Sequence, residues 1–408
     1  MITNGQYQQS FRVVKNVEQE IRDMVQSQMR GAALLMAHQL FNEEVQELCG
    51  PVFSRKNEDQ CHRTGSDPGS VIIHGQKVKV KKPRVRRDDE EVELQTYSAL
   101  QSYDLLCENI MNHMLRGVST RNYEPLLDEI EGGTGLKKST VSKAFVKGSQ
   151  EMLDQINSRD LSTQRYCALM VDGVGFGERT VITVLGITTI GKKEILGLKE
   201  GDTEHSEVCK DLFQNLIDRG LYIEDPFLFV IDGSKALKKA IRRVFGNEFP
   251  IQRCVRHKER NIISYLDVCH HVEFRRRWKR LHGYVKYDAA LAEYKLLENW
   301  LGQINHEALN SLAEAEMETL TVVKLNVPSM LRKTLLSTNP IESAFSRATA
   351  ITDRVTNWKS SPDQVSRWAA SALTFVEKKF RQVVGFREIP FLLTELKKLK
   401  LELKKEIA

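Results

Sequence analysis

Two short apolar runs, each followed by Asp-Gly, constrain the fold more than any other feature of the sequence. One run leads from Cys167 to Asp172, and the other leads from Phe227 to Asp232. Their length and composition are typical of buried strands, and a carboxylate at the end of such a strand does not help the core. If the two strands are neighbours, both acids lie at one edge of a sheet, a few ångströms apart. The glycine after each acid would let the chain turn away.

The spacing of apolar residues changes near residue 165, where helical periodicity gives way to strands. We predict strands over 165–172, 181–189, 193–199, 226–232 and 250–254, and helices over 207–219, 235–245 and 257–266. Three antiparallel strands followed by alternating helices and strands indicate an α/β fold with a mixed sheet. An all-helical block over 267–335 follows, and then helices over 338–356, 362–385 and 389–405.

The first 160 residues predict a mainly helical region with one basic hairpin. We expect a helix within 21–48, a turn-rich segment over 61–69, a β-hairpin or edge strand over 71–87, and a helix that opens with the acidic residues 88–93. A helix-turn-helix is expected next, with a helix over 119–130, a glycine turn over 132–135, and a second helix that has Ser139 or Thr140 as its N-cap.

These elements divide the chain into five regions. They are a helical N-terminal region with the hairpin (1–94), a helix-turn-helix region (95–160), the first part of the α/β core (161–266), a helical insertion (267–335), and the helix of Glu342 with the C-terminal helices (336–408). The length of 408 residues favours two or three domains.

Composition points to a protein of the reducing cytosol. The seven cysteines are scattered without a CxxC pair, and the N-terminus is too polar for a signal peptide. The apolar stretches are shorter than the roughly 20 residues that a membrane span needs. We therefore expect a cytoplasmic, nucleoid-associated protein without membrane contact.

Three acids suggest a metal site. Asp172 and Asp232, with Glu342 on a helix far downstream, offer the oxygen ligands that Mg²⁺ prefers, and Mn²⁺ would substitute. Phosphodiester transfer commonly uses two divalent ions about 3.5–4 Å apart. A bland alternative remains for each acid, because Asp-Gly after a strand is often a simple turn and an acid in the first turn of a helix is favoured by the helix dipole.

Basic residues cluster in three places and suggest contact with DNA phosphates. The hairpin supplies Lys77, Lys79, Lys81, Lys82, Arg84, Arg86 and Arg87. The second helix of the helix-turn-helix supplies Lys138, Ser139, Thr140, Ser142 and Lys143. The third cluster, 275–280, includes Arg276, and an exposed helix face explains it equally well. The acidic run after the hairpin would shield it in the absence of DNA.

Four motifs in this order resemble those of Mutator-like transposases of bacterial insertion sequences. They are the strand ends at Asp172 and Asp232, the Cys-x₂-His string of Cys254 and His257, and the Asn-x-x-Glu string that ends at Glu342. The resemblance covers roughly residues 60–355. It implies a DDE enzyme on an RNase H-like core, with Asp172, Asp232 and Glu342 as catalytic and metal-binding residues and a helical insertion before the glutamate.

By the same resemblance Cys254 and His257 support the active site, and Lys258 beside them contacts DNA. A zinc site completed by Cys269, His270 or His271 is the alternative for that cysteine and histidine. The helices after residue 360 have no assigned role. Because Glu342 follows a long helical excursion, we expect its position to depend on bound DNA or metal.

The implied function is a DNA transposase. It would bind the terminal inverted repeats of its element, cleave double-stranded DNA with Mg²⁺, and join the freed 3′-OH to target DNA, acting as a homodimer or higher oligomer on DNA. Two alternatives stay open. A nuclease on the same core would cleave without joining, and a transposase-derived regulator would bind DNA without chemistry.

Overall fold

The computed structural model describes residues 31–51, 61–73, 76–87, 90–101, 111–112, 114–116, 133–134, 138–176, 179–201, 203, 205–353, 355, 358 and 361–407. Internal contacts divide the chain into two units, residues 1–148 and residues 149–408.

The first unit contains an antiparallel sheet built around the basic hairpin. Its strands are β1 (Cys61–Ile73), β2 (Gln76–Arg87), β3 (Glu90–Val92) and β4 (Gly133–Thr134). They run in the order β1-β2-β3, and β4 pairs with β2. The alternation in β2 is as expected, because Val78 and Val80 are buried whereas Lys77, Lys79 and Lys81 are exposed. The hairpin prediction is therefore confirmed.

Three local predictions in this unit are wrong. The turn-rich segment 61–69 lies in β1, where pairing with β2 holds it extended. Glu90–Val92 form a strand, because Glu90 and Glu91 stand opposite Arg87 and Arg86 in the ladder with β2. Glu91 also forms ion pairs with Lys82 at 3.1 Å and with Arg84 at 3.7 Å. The glycine turn at 132–135 instead contributes strand β4.

Helices pack on this sheet through apolar side chains. Helix α1, residues 31–49, places Phe41 against the valines of β1 and β2, and the short helix α2 (Gln95–Leu100) follows the buried Leu94. Helix α3 (Lys138–Ser158) begins one residue before Ser139, so neither Ser139 nor Thr140 is its N-cap. The first helix of the predicted helix-turn-helix, 119–130, lies outside the described residues.

The second unit is organised around a five-stranded mixed sheet. Its strands are β5 (Tyr166–Phe176), β6 (Arg179–Thr188), β7 (Lys193–Glu200), β8 (Leu228–Ile231) and β9 (Ile251–Arg253). The order across the sheet is β7-β6-β5-β8-β9. The first three strands are antiparallel, and β8 and β9 add in parallel on the other side of β5. The predicted α/β class and all five predicted strands are found.

The two faces of this sheet carry separate cores, because successive side chains point to opposite faces. In β5, Ala168 and Met170 pack on one face, whereas Leu169 and Val171 pack on the other. Helices α4 (Ser206–Asp218) and α5 (Lys235–Phe245) cover the second of these faces.

Helices near the C-terminus cover the first face. They are α12 (Asn339–Thr352), α13 (Gln364–Glu377) and α14 (Ile389–Ile407). Their buried residues join Ala168 and Met170 in one cluster. The helices after residue 360 therefore complete the core, a role that the sequence alone left unassigned.

The helical insertion has its own core. Helix α6 (Val255–Ile263) is followed by α7 (His271–Leu281), α8 (Tyr287–Ile304), α9 (His306–Glu314), α10 (Thr321–Lys324) and α11 (Ser329–Leu335). Phe274, Trp278 and Leu297 lie at the centre of its apolar cluster. Among the described helices, none combines the length and apolar composition needed to cross a membrane.

One glycine gives a test of this packing. Gly385, just before α14, has a φ of +79°, and a Cβ there would lie 2.6 Å from the Cα of Leu331. Because that neighbour is backbone, we expect Gly385→Ala to destabilise the second unit by more than about 2 kcal/mol. Calorimetric unfolding of the purified protein measures the change.

The matched control for this prediction is Gly302→Ala within α8. A Cβ at this position meets only Leu309 Cδ2, at 3.6 Å. We expect this change to stabilise the protein by about 0.5–1 kcal/mol, because alanine favours helix. Equal unfolding temperatures for the two variants would contradict the packing described for Gly385.

Candidate active site

Asp172 lies inside a strand, which corrects the expectation that it ends one. Strand β5 continues to Phe176 because β6 pairs with it along its whole length, and Asp172 stands opposite Thr183. The parallel ladder to β8 is shorter, and its last pair is Val171 with Ile231. Asp172 is therefore the first residue of β5 beyond that ladder.

Asp232 lies beside Asp172 at the same level of the sheet. It follows Ile231, the last residue of β8, so the parallel register makes the two acids neighbours. The alternation of side chains along each strand also directs both acids to one face of the sheet, because Leu228 and Val230 belong to the cluster that contains Ala168 and Met170. Both carboxylates continue the even-numbered series that packs against α12. The predicted proximity of these strands is confirmed.

Each aspartate is fixed by a local backbone amide. The N–H of Gly173 donates to Asp172 Oδ1 at 2.9 Å, and the N–H of Ser234 donates to Asp232 Oδ1 at 3.0 Å. The two glycines have different roles, contrary to the expectation that both act in turns. Gly173 is a paired strand residue. Gly233 has a φ of +124°, and a Cβ there would lie 3.2 Å from the guanidinium of Arg253.

Arg253 braces the segment that carries Asp232. Its guanidinium is 2% exposed, donates to the carbonyl of Gly233 at 2.9 Å, and pairs with Glu314 of α9 at 3.2 Å. The insertion therefore supports the acidic edge of the sheet through a buried charge. The position of Arg253 directly before Cys254 gave no signal of this role in the sequence.

Glu342 reaches the same face of the sheet from the first turn of α12. Residues Ile341, Ala344 and Phe345 of this helix are buried in the cluster of the first sheet face. The preceding segment is tied to the core, because the N–H of Val255 donates to the carbonyl of Leu336 at 2.9 Å. In this structure the packing of α12 and the bond between Val255 and Leu336 place Glu342. The expected dependence of its position on DNA or metal stays a prediction.

Cys254 and His257 lie next to Glu342. The Nδ1 of His257 is 3.9 Å from Glu342 Oε1, and both side chains are 28% exposed. Cys254 is fully buried, and the N–H of Thr338 donates to its Sγ at 3.4 Å. The structure thus brings together the cysteine, the histidine and the glutamate named from the sequence.

The charges of this site influence one another. Burial raises the pKa of Asp172 from 3.8 to about 7, and the negative charges of Asp232 and Glu342 add to this effect. A hydrogen bond to Cys254 raises the pKa of His257 to about 9, with further support from Asp172 and Glu342. Burial raises the pKa of the Cys254 thiol, but hydrogen bonds from His257 and Thr338 outweigh it and leave that pKa lowered.

The donor set suits divalent cations that prefer oxygen. Asp172 and Asp232 direct carboxylates to one face of the sheet, and their mutual repulsion is what a cation would relieve. The hydroxyl of the buried Thr183, opposite Asp172, has no hydrogen-bond partner among the described residues. Thr183 was not identified from the sequence.

A zinc site completed by Cys269, His270 or His271 finds no support in the geometry. Among the described residues, the group of three or more potential metal ligands whose atoms all lie within 4.8 Å of one another consists of Cys254, His257 and Glu342. Cys269 is exposed, and His271 Nε2 lies 2.9 Å from the carbonyl of Leu266. Cys254 and His257 therefore lie beside Glu342, and Cys269, His270 and His271 do not join them in a metal site.

Comparison with known proteins decides the family. A sequence model described as the Mutator family of transposases matches residues 5–369. The chain belongs to this family.

Insertion-sequence transposases are among its relatives. It is 29% identical over 238 residues to the transposase for element IS6120 of Mycolicibacterium smegmatis, covering 57% of this chain and 72% of the relative. It is 27% identical over 276 residues to the transposase for IS256 in Tn4001 of Staphylococcus aureus, covering 64% and 68%. It is 26% identical over 344 residues to the transposase for ISRM5 of Rhizobium meliloti, covering 80% and 83%.

One residue of this Mutator-family transposase needs a correction. Lys258, grouped with the DNA contacts from the sequence, is 1% exposed. Its Nζ donates to the carbonyl of Ser311 at 2.9 Å and pairs with Glu314 at 2.8 Å. The ammonium therefore stabilises the insertion from within and is not offered to DNA in this structure.

The other basic residues named from the sequence lie in several environments. Lys77, Lys79, Lys81 and Arg87 are exposed, and Lys82, Arg84 and Arg86 are half-buried in β2. Ser142 and Lys143 are exposed on α3, whereas the side chains of Lys138, Ser139 and Thr140 lie outside the described set. Arg276 is exposed and pairs with Glu273 at 2.8 Å.

The pKa of Asp172 predicts a stability change. Because the fold raises this pKa from 3.8 to about 7, wild-type protein loses stability as the pH rises between these values. Asp172→Asn removes the buried charge, so in EDTA we expect the variant to be more stable above pH 7, on the order of 1–3 kcal/mol, and equal to wild type near pH 4. Thermal unfolding across this pH range measures the difference.

Asp211→Asn is the control for that prediction, because Asp211 pairs with Lys199 at the surface and is far more exposed. It should give no stabilisation above pH 7. A variant Asp172→Asn that is less stable than wild type at pH 8 in EDTA would show that the carboxylate is not under repulsion.

Proposed function

We propose that this Mutator-family transposase is a DDE enzyme in which Asp172, Asp232 and Glu342 carry out Mg²⁺-dependent DNA cleavage and strand transfer. The single observation that supports it most is the convergence of the three acids on one face of the sheet. Three antiparallel strands followed by two parallel ones, with a helical insertion before the glutamate, also fit an RNase H-like core.

The three carboxylates would hold the metal, with Mn²⁺ as a substitute. Bound there, Mg²⁺ supplies the charge that activates the attacking oxygen and stabilises the leaving oxygen. The chain contributes the geometry, since Asp172 and Asp232 are fixed by the sheet register and Glu342 by the packing of α12. His257, with its raised pKa, places a positive charge beside the acids that limits their repulsion.

The reaction has two stages in this proposal. Water first attacks the phosphodiester at the end of the element and frees a 3′-OH, which then attacks a phosphodiester of the target. Both stages are in-line displacements at phosphorus, so one set of acids serves both. Because two ends are cut and joined together, we propose a homodimer or higher oligomer on DNA.

The basic strand β2 is the proposed DNA surface of the first unit. Lys77, Lys79 and Lys81 are exposed and alternate with buried valines, so they share one face and can follow a line of phosphates. Further along the strand, Lys82 and Arg84 are already paired with Glu91. The exposed lysines are therefore the residues best placed to exchange solvent for DNA, and the terminal inverted repeats are their proposed target.

A joining assay tests the chemistry. We expect Asp232→Asn to lower cleavage and joining of a labelled terminal-repeat duplex by at least about 1,000-fold, because a ligand charge is lost while the backbone N–H bond of Ser234 remains. Binding of the duplex, measured by gel shift in the same buffer, should change less than about threefold.

The surface variant Asp211→Asn is again a matched control and should join normally. Cleavage without joining by wild-type protein would identify a nuclease instead. Binding without either step would identify a regulator, and full joining by Asp232→Asn would exclude the assignment of this acid.

Salt dependence tests the proposed DNA surface. Replacing Lys77, Lys79 and Lys81 by glutamine should weaken binding to all duplexes and reduce the slope of log K against log [salt] by about 2 to 3, because each phosphate contact contributes about 0.9. Fluorescence anisotropy at several KCl concentrations measures this slope.

Glutamine at three exposed lysines of the second unit, Lys239, Lys295 and Lys378, removes the same charge from other surfaces. The slope of that control should stay near the wild-type value. Equal slopes for the two triple variants would mean that β2 does not contact the phosphates.

A further inference from the structure

We propose that Thr338 is a positioning residue that holds the carboxylate of Glu342 in its metal-binding orientation. This inference rests on the proposed function, in which Glu342 is a metal ligand. It adds a residue that neither the sequence motifs nor the family match assigns.

The contact between the two side chains is short and partly buried. Thr338 is fully buried, and its hydroxyl donates to Glu342 Oε1 at 2.7 Å. Its carbonyl accepts the backbone N–H of Glu342 at 2.9 Å. One residue therefore fixes both the first turn of α12 and the carboxylate that projects from it.

This hydroxyl does not have the usual role of its position. Thr338 is the N-cap residue of α12, where a threonine normally accepts a backbone N–H of the first turn, yet its side chain makes no such bond. Glu342 is the fourth residue of the helix, so the reciprocal bonds of a capping box, which need an acid at the third, do not form. The hydroxyl is directed at the carboxylate instead.

Thr338 is itself anchored to the strand that leads to Asp232. Its N–H donates to Cys254 Sγ at 3.4 Å, and the N–H of Cys254 donates to the carbonyl of Ile231 at 2.7 Å. The chain of contacts thus runs from the end of β8 through Cys254 and Thr338 to Glu342. This connection sets the position of the third acid relative to the second.

The position of the hydroxyl hydrogen follows from the acceptors around it. The Thr338 oxygen lies 2.7 Å from Glu342 Oε1 and 3.4 Å from Cys254 Sγ, and a charged carboxylate is the stronger acceptor. The single hydrogen therefore goes to Glu342. His257 Nδ1 lies 3.5 Å from the same oxygen and 3.9 Å from Glu342 Oε1.

A set of three variants in the full-length protein separates positioning from folding. Thr338→Val keeps the branched shape and removes the hydroxyl, and Thr338→Ser restores the hydroxyl. Thr349→Val removes a hydroxyl from the same helix. Among the residues that the structure describes, this hydroxyl bonds the carbonyls of Phe345 and Ser346, at 3.0 and 3.2 Å. Thermal unfolding should show that all three variants are folded.

The first readout is Mn²⁺ binding, followed by electron paramagnetic resonance without DNA. We expect Thr338→Val to weaken it about 10- to 100-fold, as removal of a partner of a metal ligand typically does, and Thr338→Ser and Thr349→Val to match wild type. The second readout is terminal-repeat cleavage, where Thr338→Val should need more Mg²⁺ and lose kcat with little change in KM for DNA.

The outcomes distinguish this inference from the proposed function. Mn²⁺ binding by Thr338→Val that equals wild type would overturn the positioning role, whatever the cleavage result. Weakened Mn²⁺ binding by Thr338→Val, together with a wild-type protein that neither cleaves nor joins DNA, would support the positioning role and reject the transposase chemistry. A wild-type protein that binds no Mn²⁺ would contradict both.

Discussion

The parallel pairing of β5 with β8 is the constraint on which the rest of the site depends. Its last pair, Val171 with Ile231, makes the next residues, Asp172 and Asp232, neighbours on one face. The longer antiparallel pairing with β6 carries β5 onward and keeps Asp172 within a rigid strand. A shift of one residue in either ladder would send one carboxylate to the opposite face, where α4 and α5 pack. The register of the sheet therefore determines whether the acids meet.

This arrangement is electrostatically unfavourable for the isolated protein. Burial and two neighbouring negative charges raise the pKa of Asp172 to about 7, and His257 offsets only part of the repulsion. Such a site is stable because the surrounding cores on both faces of the sheet over-determine it. The same repulsion favours a divalent cation, so the unfavourable electrostatics and the proposed function share one cause.

Local patterns in the sequence were sufficient to predict those strands and helices that depend mainly on the spacing of their own apolar residues. The five strands of the second unit and the helices between them follow from apolar spacing. The residues alone left two readings of Glu342 open, and the resemblance to a family favoured its role as a metal ligand. Pairing partners overrode local preference elsewhere. The segment 61–69 forms strand in spite of its proline and two glycines because β2 lies beside it. Acidic residues after the hairpin form β3 because Arg86 and Arg87 stand opposite them and Lys82 and Arg84 pair with Glu91. The roles of Arg253 and Thr338 could not be found from sequence, because they depend on contacts between distant segments.

Glu342 shows how a residue after a long insertion can still be placed accurately. Loop-closure entropy grows only slowly with length, so the long insertion costs little free energy. Its length alone does not determine where Glu342 lies. Contacts on both sides of the insertion determine the position of Glu342. Before the insertion, the N–H of Cys254 donates to the carbonyl of Ile231, and after it, the N–H of Thr338 donates to Cys254 Sγ. In between, Glu314 pairs with Arg253, whose guanidinium binds the carbonyl next to Asp232. After the insertion the chain thus returns to the edge of the sheet from which it departed. Contacts with Cys254 link the segment before Glu342 to the strand that leads to Asp232.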